Sequence, residues 1–160
     1  MRAALEAAAR LGCETRAFGG PDLPQAFFSV ESGERCAPAR ALIEALRGAD
    51  GVIIASPGYH GSISGLVKNA LDYVEDLSGD TRPYLDGRAI GLIVTANGPQ
   101  ALGSTLAALR SIAHALRGWP TPYAALINSG VTEAGPHPLT PAETVGQQVA
   151  EFALRWRRQA

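Results

Sequence analysis

Two cysteines, Cys13 and Cys36, are all that the 160 residues hold, and they form an isolated pair without metal-ligand spacing. Such a pair predicts two buried thiols in a reducing cytoplasm, rather than a disulfide framework or a metal site. Charge of one sign is lacking as well. Fourteen Lys and Arg against 15 Asp and Glu leave −1 at pH 7, which offers nothing to nucleic acid or an anionic membrane. No apolar run approaches the roughly 20 residues of a membrane helix. The start, Met1-Arg2-Ala3-Ala4-Leu5-Glu6, has no signal-peptide apolar core because Glu6 and Arg10 interrupt it, so the expected location is cytoplasmic. Neither a G-x-x-x-x-G-K-S/T loop nor a G-x-G-x-x-G fingerprint occurs. Gly61-Ser62-Ile63-Ser64-Gly65 is no nucleophile elbow either, since Ile63 fills the nucleophile position.

What is present is an ordinary soluble composition, 46% hydrophobic and 18% charged, in a length that suits one well-buried domain. The chain is organised around residues 51–73. Gly51-Val52-Ile53-Ile54-Ala55 reads as a strand covered on both faces. Ser56 to Ser64 is a loop of Gly, Ser and Pro. Leu66, Ala70, Tyr73 and Leu77 then recur at helical spacing. In open α/β sheets ligands sit outside the carboxyl ends of strands, which is where this loop falls. Gly58 and Gly61 allow φ > 0 and close approach to a flat ligand, and Ser62 or Ser64 can cap the helix.

Elsewhere the pattern predicts an Ala-rich helix over Met1–Leu11, with Leu5, Ala8 and Leu11 inward. A strand follows over Cys13–Phe18, then a long irregular loop over Gly19–Ala37 in which Phe27 and Phe28 are anchors or contact residues. Pro38 opens a second helix with Leu42, Ala45 and Leu46 inward. Arg88–Thr95 is a buried strand running into the loop Ala96–Gln100. The next helix carries Leu102, Leu106, Leu109, Ala113 and Leu116 and stops near Gly118, before a last strand at Pro122–Asn128. Thr140-Pro141-Ala142-Glu143 is a capping box that starts the final helix, with Val145, Val149, Phe152 and Trp156 inward. Arg155, Arg157 and Arg158 complement the end of that helix.

Ser56-Pro57-Gly58-Tyr59-His60-Gly61-Ser62-Ile63-Ser64-Gly65-Leu66-Val67-Lys68-Asn69-Ala70-Leu71-Asp72-Tyr73 resembles the flavin-contact loop and following helix of the NADPH-dependent FMN reductases. The resemblance implies an α/β, flavodoxin-like fold: a doubly wound parallel sheet in a three-layer α/β/α arrangement, one domain over residues 1–160. It implies FMN as cofactor, NADPH or NADH as co-substrate, and a small-molecule electron acceptor such as a flavin or quinone. The cofactor-binding residues it implies are Pro57, Gly58, Tyr59, His60, Gly61 and Ser62, with Asn97 and Gly98 closing the other side of the ring. No side chain need act as acid or base, because the flavin carries the redox chemistry.

Five predicted helices stand against only four strands, and the chain opens on a helix where a βα alternation opens on a strand. By resemblance the absent element is the first, central strand and the Gly/Ser/Arg loop after it, so the domain reads as N-terminally truncated. A four-stranded sheet is expected, with an unfilled or rearranged place beside Val52–Ala55. Several residues admit two readings. The Gly58–Ser62 loop is a ligand contact or an ordinary connection, His60 a polar contact or a proton-transfer group, and Asn97-Gly98 a ring contact or a turn. Lys68, Asn69 and Asp72 form either a solvated face or, as the resemblance implies, the interface of a homodimer or homotetramer. Tyr73 and Trp119 read as packing residues, and neither His114 nor His137 has a metal-ligand partner. Two other assignments compete with a reductase. One is a flavodoxin-like subunit that has lost FMN and serves assembly alone. The weaker is an electron-carrier flavodoxin, of a kind usually far more acidic than this chain.

Overall fold

The computed structural model describes residues 1–130 and 140–157; His137 and Arg158 lie outside them. Its helices are α1 (Arg2–Arg10), α2 (Ala37–Gly48), α3 (Gly65–Asp72), α4 (Pro99–Ala115) and α5 (Pro141–Arg157). Its strands are β1 (Gly51–Tyr59), β2 (Ser62–Ile63), β3 (Ala89–Ala96), β4 (Trp119–Pro120) and β5 (Ala125–Asn128). The sheet runs β2-β1-β3-β4, with β5 also paired to β3. Every pairing is parallel except the β1–β2 hairpin. The architecture is the flavodoxin-like α/β fold that the resemblance implies.

Side chains alternate across the sheet with the period of two that strands impose. Ile54, Ile90, Leu92 and Val94 pack with Ile43, Leu102 and Leu109 on one face. Ile53, Ala55, Ile93 and Ala125 meet α1 and α5 on the other, through Ala4, Ala142 and Val145. The result is three layers. Helices α1 and α5 approach so closely that a Cβ on Gly146 would overlap the Ala4 carbonyl. This contact selects the face of α1 that turns inward. Ala4, Ala7 and Ala8 are buried, whereas Leu11, expected inside, is exposed.

The element count departs from expectation in two ways. Among the described residues five strands form rather than four, because the short β2 and β4 join the sheet. Cys13–Phe18, among the described residues, has no strand partner and no ladder bond, although its own residues alternate. The reason is the sheet edge beside it. From Gly51 to Pro57, β1 pairs only with β3, and between its other edge and residues 13–18 lies a cavity of about 610 Å³. The expected vacancy beside Val52–Ala55 is there. It leaves Val52, Ile53 and Ala55 half-buried instead of covered on both sides.

Other expectations are corrected by burial. Cys13 is half-buried and Cys36 exposed, both as free thiols. Trp119 and Trp156 are exposed rather than packed inward, Trp156 stacking on Phe152 with ring centroids 5.7 Å apart. Tyr73 is buried as expected. The capping box is formed: Thr140 N–H donates to Glu143 Oε2 (2.7 Å), and Glu143 N–H to Thr140 Oγ1 (3.3 Å). Sequence patterning does not reveal the bonding role of Arg88, which is buried immediately before β3. It donates to the carbonyls of Arg47 and Ala49 at the end of α2 and to that of Tyr84. Burial lowers its pKa, but those carbonyls satisfy the guanidinium.

Candidate functional site

The parallel register Pro57↔Thr95 brings the carboxyl ends of β1 and β3 side by side. Beyond Tyr59 the chain makes a tight hairpin rather than an open loop. Gly58 pairs with Ile63 and Tyr59 with Ser62, leaving His60 and Gly61 as a two-residue turn with φ of +50° and +90°. Positive φ at both central positions is the signature of the hairpin turn that matches strand twist. His is among the few non-Gly types enriched there, so His60 has a backbone reason for its place. The His-Gly pair itself was the sequence signal for this turn.

The two glycines of this stretch have different functions. Gly61 has open space where a Cβ would stand, so its backbone can meet a ligand. Gly58 is extended within β1, contrary to the expected positive φ, and a Cβ there would lie 2.6 Å from Thr105 Oγ1. Its missing side chain lets α4 close on the sheet. Thr105 in turn donates to the Ser62 carbonyl (3.3 Å), fixing the hairpin to α4. Ser56 is buried and receives a hydrogen bond from Ser64 N–H (2.9 Å), tying the entry of α3 to the end of β1. Ser64 occupies the N-cap position, but its own side chain makes no cap bond.

A cavity of about 510 Å³ opens at this corner, within the usual size of small-ligand sites. Gly61, Asn97 and Gly98 line it, together with Pro99, Gln100 and Ser104 from the start of α4. Pro57, Gly58, Tyr59, His60 and Ser62 do not; Tyr59 and His60 stand exposed on the hairpin. Asn128, missed in the sequence, organises the far wall. Its Oδ1 accepts from Gly98 N–H (3.2 Å) and from Gly130 N–H (3.0 Å). Gly98 holds φ of +109° with nothing where a Cβ would be. The lining carries no charged side chain. Exposed main chain and small polar groups can meet the polar edge of a neutral ring, so an isoalloxazine fits this cavity. A phosphate would find no cation in it. Among the described residues no group of three His, Cys, Asp or Glu could hold a metal.

Asn69 is brought into a different role from the one expected. It is buried, not on an exposed helix face. Its amide donates to the carbonyls of Pro24 and Ala26 (2.9 and 2.8 Å), and its oxygen accepts from Phe28 N–H (2.9 Å). Phe28 is the anchor of that loop, edge-on to Tyr73, while Phe27 is exposed. Arg35 lies over both rings and forms a paired hydrogen bond with Asp76 (2.7 and 2.8 Å). That carboxylate raises the Arg35 pKa, and burial raises that of Tyr73. Lys68 and Asp72 are exposed and form an ion pair one helical turn apart.

A sequence profile described as NADPH-dependent FMN reductase matches residues 1–132. Over 79 residues the chain is 34% identical to an FMN-dependent NADPH-azoreductase of Staphylococcus haemolyticus (strain JCSC1435), a match covering 49% of this chain and 38% of that protein. The chain thus spans well under half the length of that curated relative. Among solved structures it resembles RosB with a bound 8-demethyl-8-formylriboflavin-5'-phosphate intermediate. That likeness has a TM-score of 0.74 at 18% identity and covers 98% of this chain and 71% of RosB. It also resembles a flavodoxin, WrbA-like protein from Agrobacterium tumefaciens, with a TM-score of 0.54 at 21% identity, covering 73% and 72% of the two chains. At such identities the structural likenesses speak for the fold alone.

Proposed function

Because the chain belongs to the NADPH-dependent FMN reductase family, we propose that it is a flavin-dependent oxidoreductase. In this reading FMN lies in the neutral cavity at the ends of β1 and β3, and NADPH or NADH feeds electrons to a small-molecule acceptor such as a flavin or quinone. The observation that carries this reading is main chain left bare at Gly61 and Gly98, both lining one cavity. When bound, FMN supplies hydride and electron chemistry that no side chain of the chain provides. The chain's own part is positional: Gly61 and Gly98 present main chain, Asn128 holds the Gly98 loop, and Thr105 and Ser56 hold the hairpin. Tyr59 and His60 stand exposed on the hairpin, outside the lining, and for His60 a polar contact is favoured over proton transfer.

A second reading, a flavin-free family member serving assembly, draws support from the absence of a cation in the cavity lining. Either form is proposed to self-associate through Lys68 and Asp72 on α3. Asn69 takes no part in that surface.

Fluorescence titration of FMN with the purified chain, alongside NADPH oxidation with added FMN, tests the reading. Weak FMN binding is expected from a lining that carries no cation for the phosphate, and Gln100→Trp, placing a ring in the cavity from an exposed position, is expected to weaken it by about tenfold or more. Flavin that binds equally well to Gln100→Trp would overturn the placement. A chain that neither binds FMN nor oxidises NADPH would favour the second reading.

A further inference from the structure

The loop at the far wall of the candidate cavity is built against a second loop. Strands β3 and β5 run parallel and end together, at the pair Ala96↔Asn128. Past that pair the chain continues as Asn97-Gly98 on one side and Ser129-Gly130 on the other. Ser129 N–H donates to the Ala96 carbonyl (2.9 Å), and Asn128 Oδ1 accepts from Gly98 N–H and Gly130 N–H together. These bonds join the loops on either side of Asn97, which lines the cavity; Gly130 does not.

Gly130 stands against the Asn97 side chain. A Cβ placed on Gly130 would be 2.3 Å from Asn97 Oδ1 and 3.3 Å from its Cγ. Backbone conformation is not what calls for glycine at this position, because its φ lies outside the positive region that Gly61 and Gly98 occupy. What it supplies is room for one side chain. Asn97 is exposed, and among the described residues no hydrogen bond holds its carboxamide. Asn128 Oδ1 lies 3.3 Å from the same Cβ point, so a methyl group there would turn Asn97 away while the Asn128 bonds persist.

We propose that Gly130 is a positioning residue of this cavity, whose bare Cα sets the rotamer in which Asn97 meets a bound ring. An asparagine amide carries an acceptor oxygen and two N–H donors. The polar edge of an isoalloxazine alternates carbonyl oxygens with a ring N–H, so one fixed amide can match two neighbouring positions of it. Contact with Gly130 selects among the staggered rotamers of Asn97 before the ligand arrives, which spares part of the ordering cost of binding. The ligand role rests on the placement of FMN proposed above; the contact between the two residues does not.

The test compares the parent with Gly130→Ala, Asn97→Ala and the double variant. In the flavin-free protein, three-bond couplings and the side-chain amide resonances of Asn97 report its χ1. Both are expected to change in Gly130→Ala, with the Gly98 amide resonance near its parent position and the urea midpoint unmoved. An unchanged χ1 would overturn the proposal with no flavin present. FMN dissociation constants are then read by fluorescence on all four proteins. Gly130→Ala and Asn97→Ala are each expected to weaken binding by about threefold to tenfold. The double variant is expected to bind no more weakly than Asn97→Ala, because the effect of residue 130 passes through residue 97. Losses that multiply would overturn the proposal, since Gly130 would then act by a route that bypasses Asn97. So would a parent-like constant for Asn97→Ala. A parent that binds no FMN would overturn the ligand role together with the flavin placement, and a χ1 that still moves would locate that failure in the placement and not in the contact.

Discussion

Gly58 and Gly61 lie three residues apart and show why a residue type alone does not assign a role. Both invite the same reading from sequence, a backbone that bends and approaches a ligand. Only Gly61 does so. Alanine at Gly58 would press its Cβ on Thr105 Oγ1, 2.6 Å away, and is expected to destabilise the fold by about 1–3 kcal/mol through overpacking. Alanine at Gly61 meets no neighbour, and its cost is that of the left-handed backbone, about 1 kcal/mol. Urea unfolding of the two variants measures the difference. A Gly58→Ala protein as stable as the parent would show that α4 yields at Thr105. Asn69 is the second residue whose role sequence conceals. With three hydrogen bonds to the 24–28 loop in a buried setting, Asn69→Ala is expected to lose about 2–3 kcal/mol, the order of cost of unsatisfied buried groups. A surface residue would lose almost nothing, so the same urea midpoint separates the two roles.

Elements were legible where a long apolar run or a capping signal fixed them. β1 and β3 announce themselves by Val52–Ala55 and Ile90–Val94, and α5 by Thr140-Pro141-Ala142-Glu143. Strands of two residues, β2 and β4, have no period to read, since their pairing is set by a tight turn and by a neighbour. Cys13–Phe18 has the alternation of a strand but not the partner, and alternation without a partner makes only extended chain. Likewise, Leu11 faces solvent because Gly146 draws the alanine face of α1 onto α5, a tertiary choice invisible in the helix's own sequence. The site was half legible. Gly61, Asn97 and Gly98 follow from strand ends and loop composition, whereas Asn128 acts across thirty residues, from the end of β5, on Gly98. At the element scale the α5 cap gives a pH test. Thr140 N–H and Arg10 hold the Glu143 pKa below its ordinary value of 4.5. The charged form is therefore favoured by folding, so its contribution is fully present above pH 4.5 and disappears as pH falls through the lower folded value. Exchange of the first-turn amides of α5 is expected to quicken over that acidic range. Glu143→Gln should flatten this dependence; an unchanged acid profile in that variant would remove the cap as its cause.

On the scale of the whole molecule, stability should be graded across the sheet rather than uniform. β3 is the only strand among the described residues with long parallel partners on both edges, β1 from Gly51 to Pro57 and β5 from Ala125 to Asn128. Its side chains are buried on both faces from Ala89 to Val94. One strand away, β1 is bonded on one edge alone, and one step further Cys13–Phe18 carries no ladder at all. Amides whose bonds break only when the core opens exchange at the global unfolding limit, and those without ladder bonds exchange through small local openings. Hydrogen exchange of the chain is therefore expected to rank Leu92–Val94 slowest, Val52–Ala55 intermediate, and Thr15–Ala17 close to the unprotected rate. The ranking belongs to the arrangement and not to composition, because the β1 run is as apolar as that of β3. If Thr15–Ala17 exchanged as slowly as Leu92–Val94, those residues would have to be paired, the cavity beside β1 would be closed, and the sheet would be built in an order other than the one described.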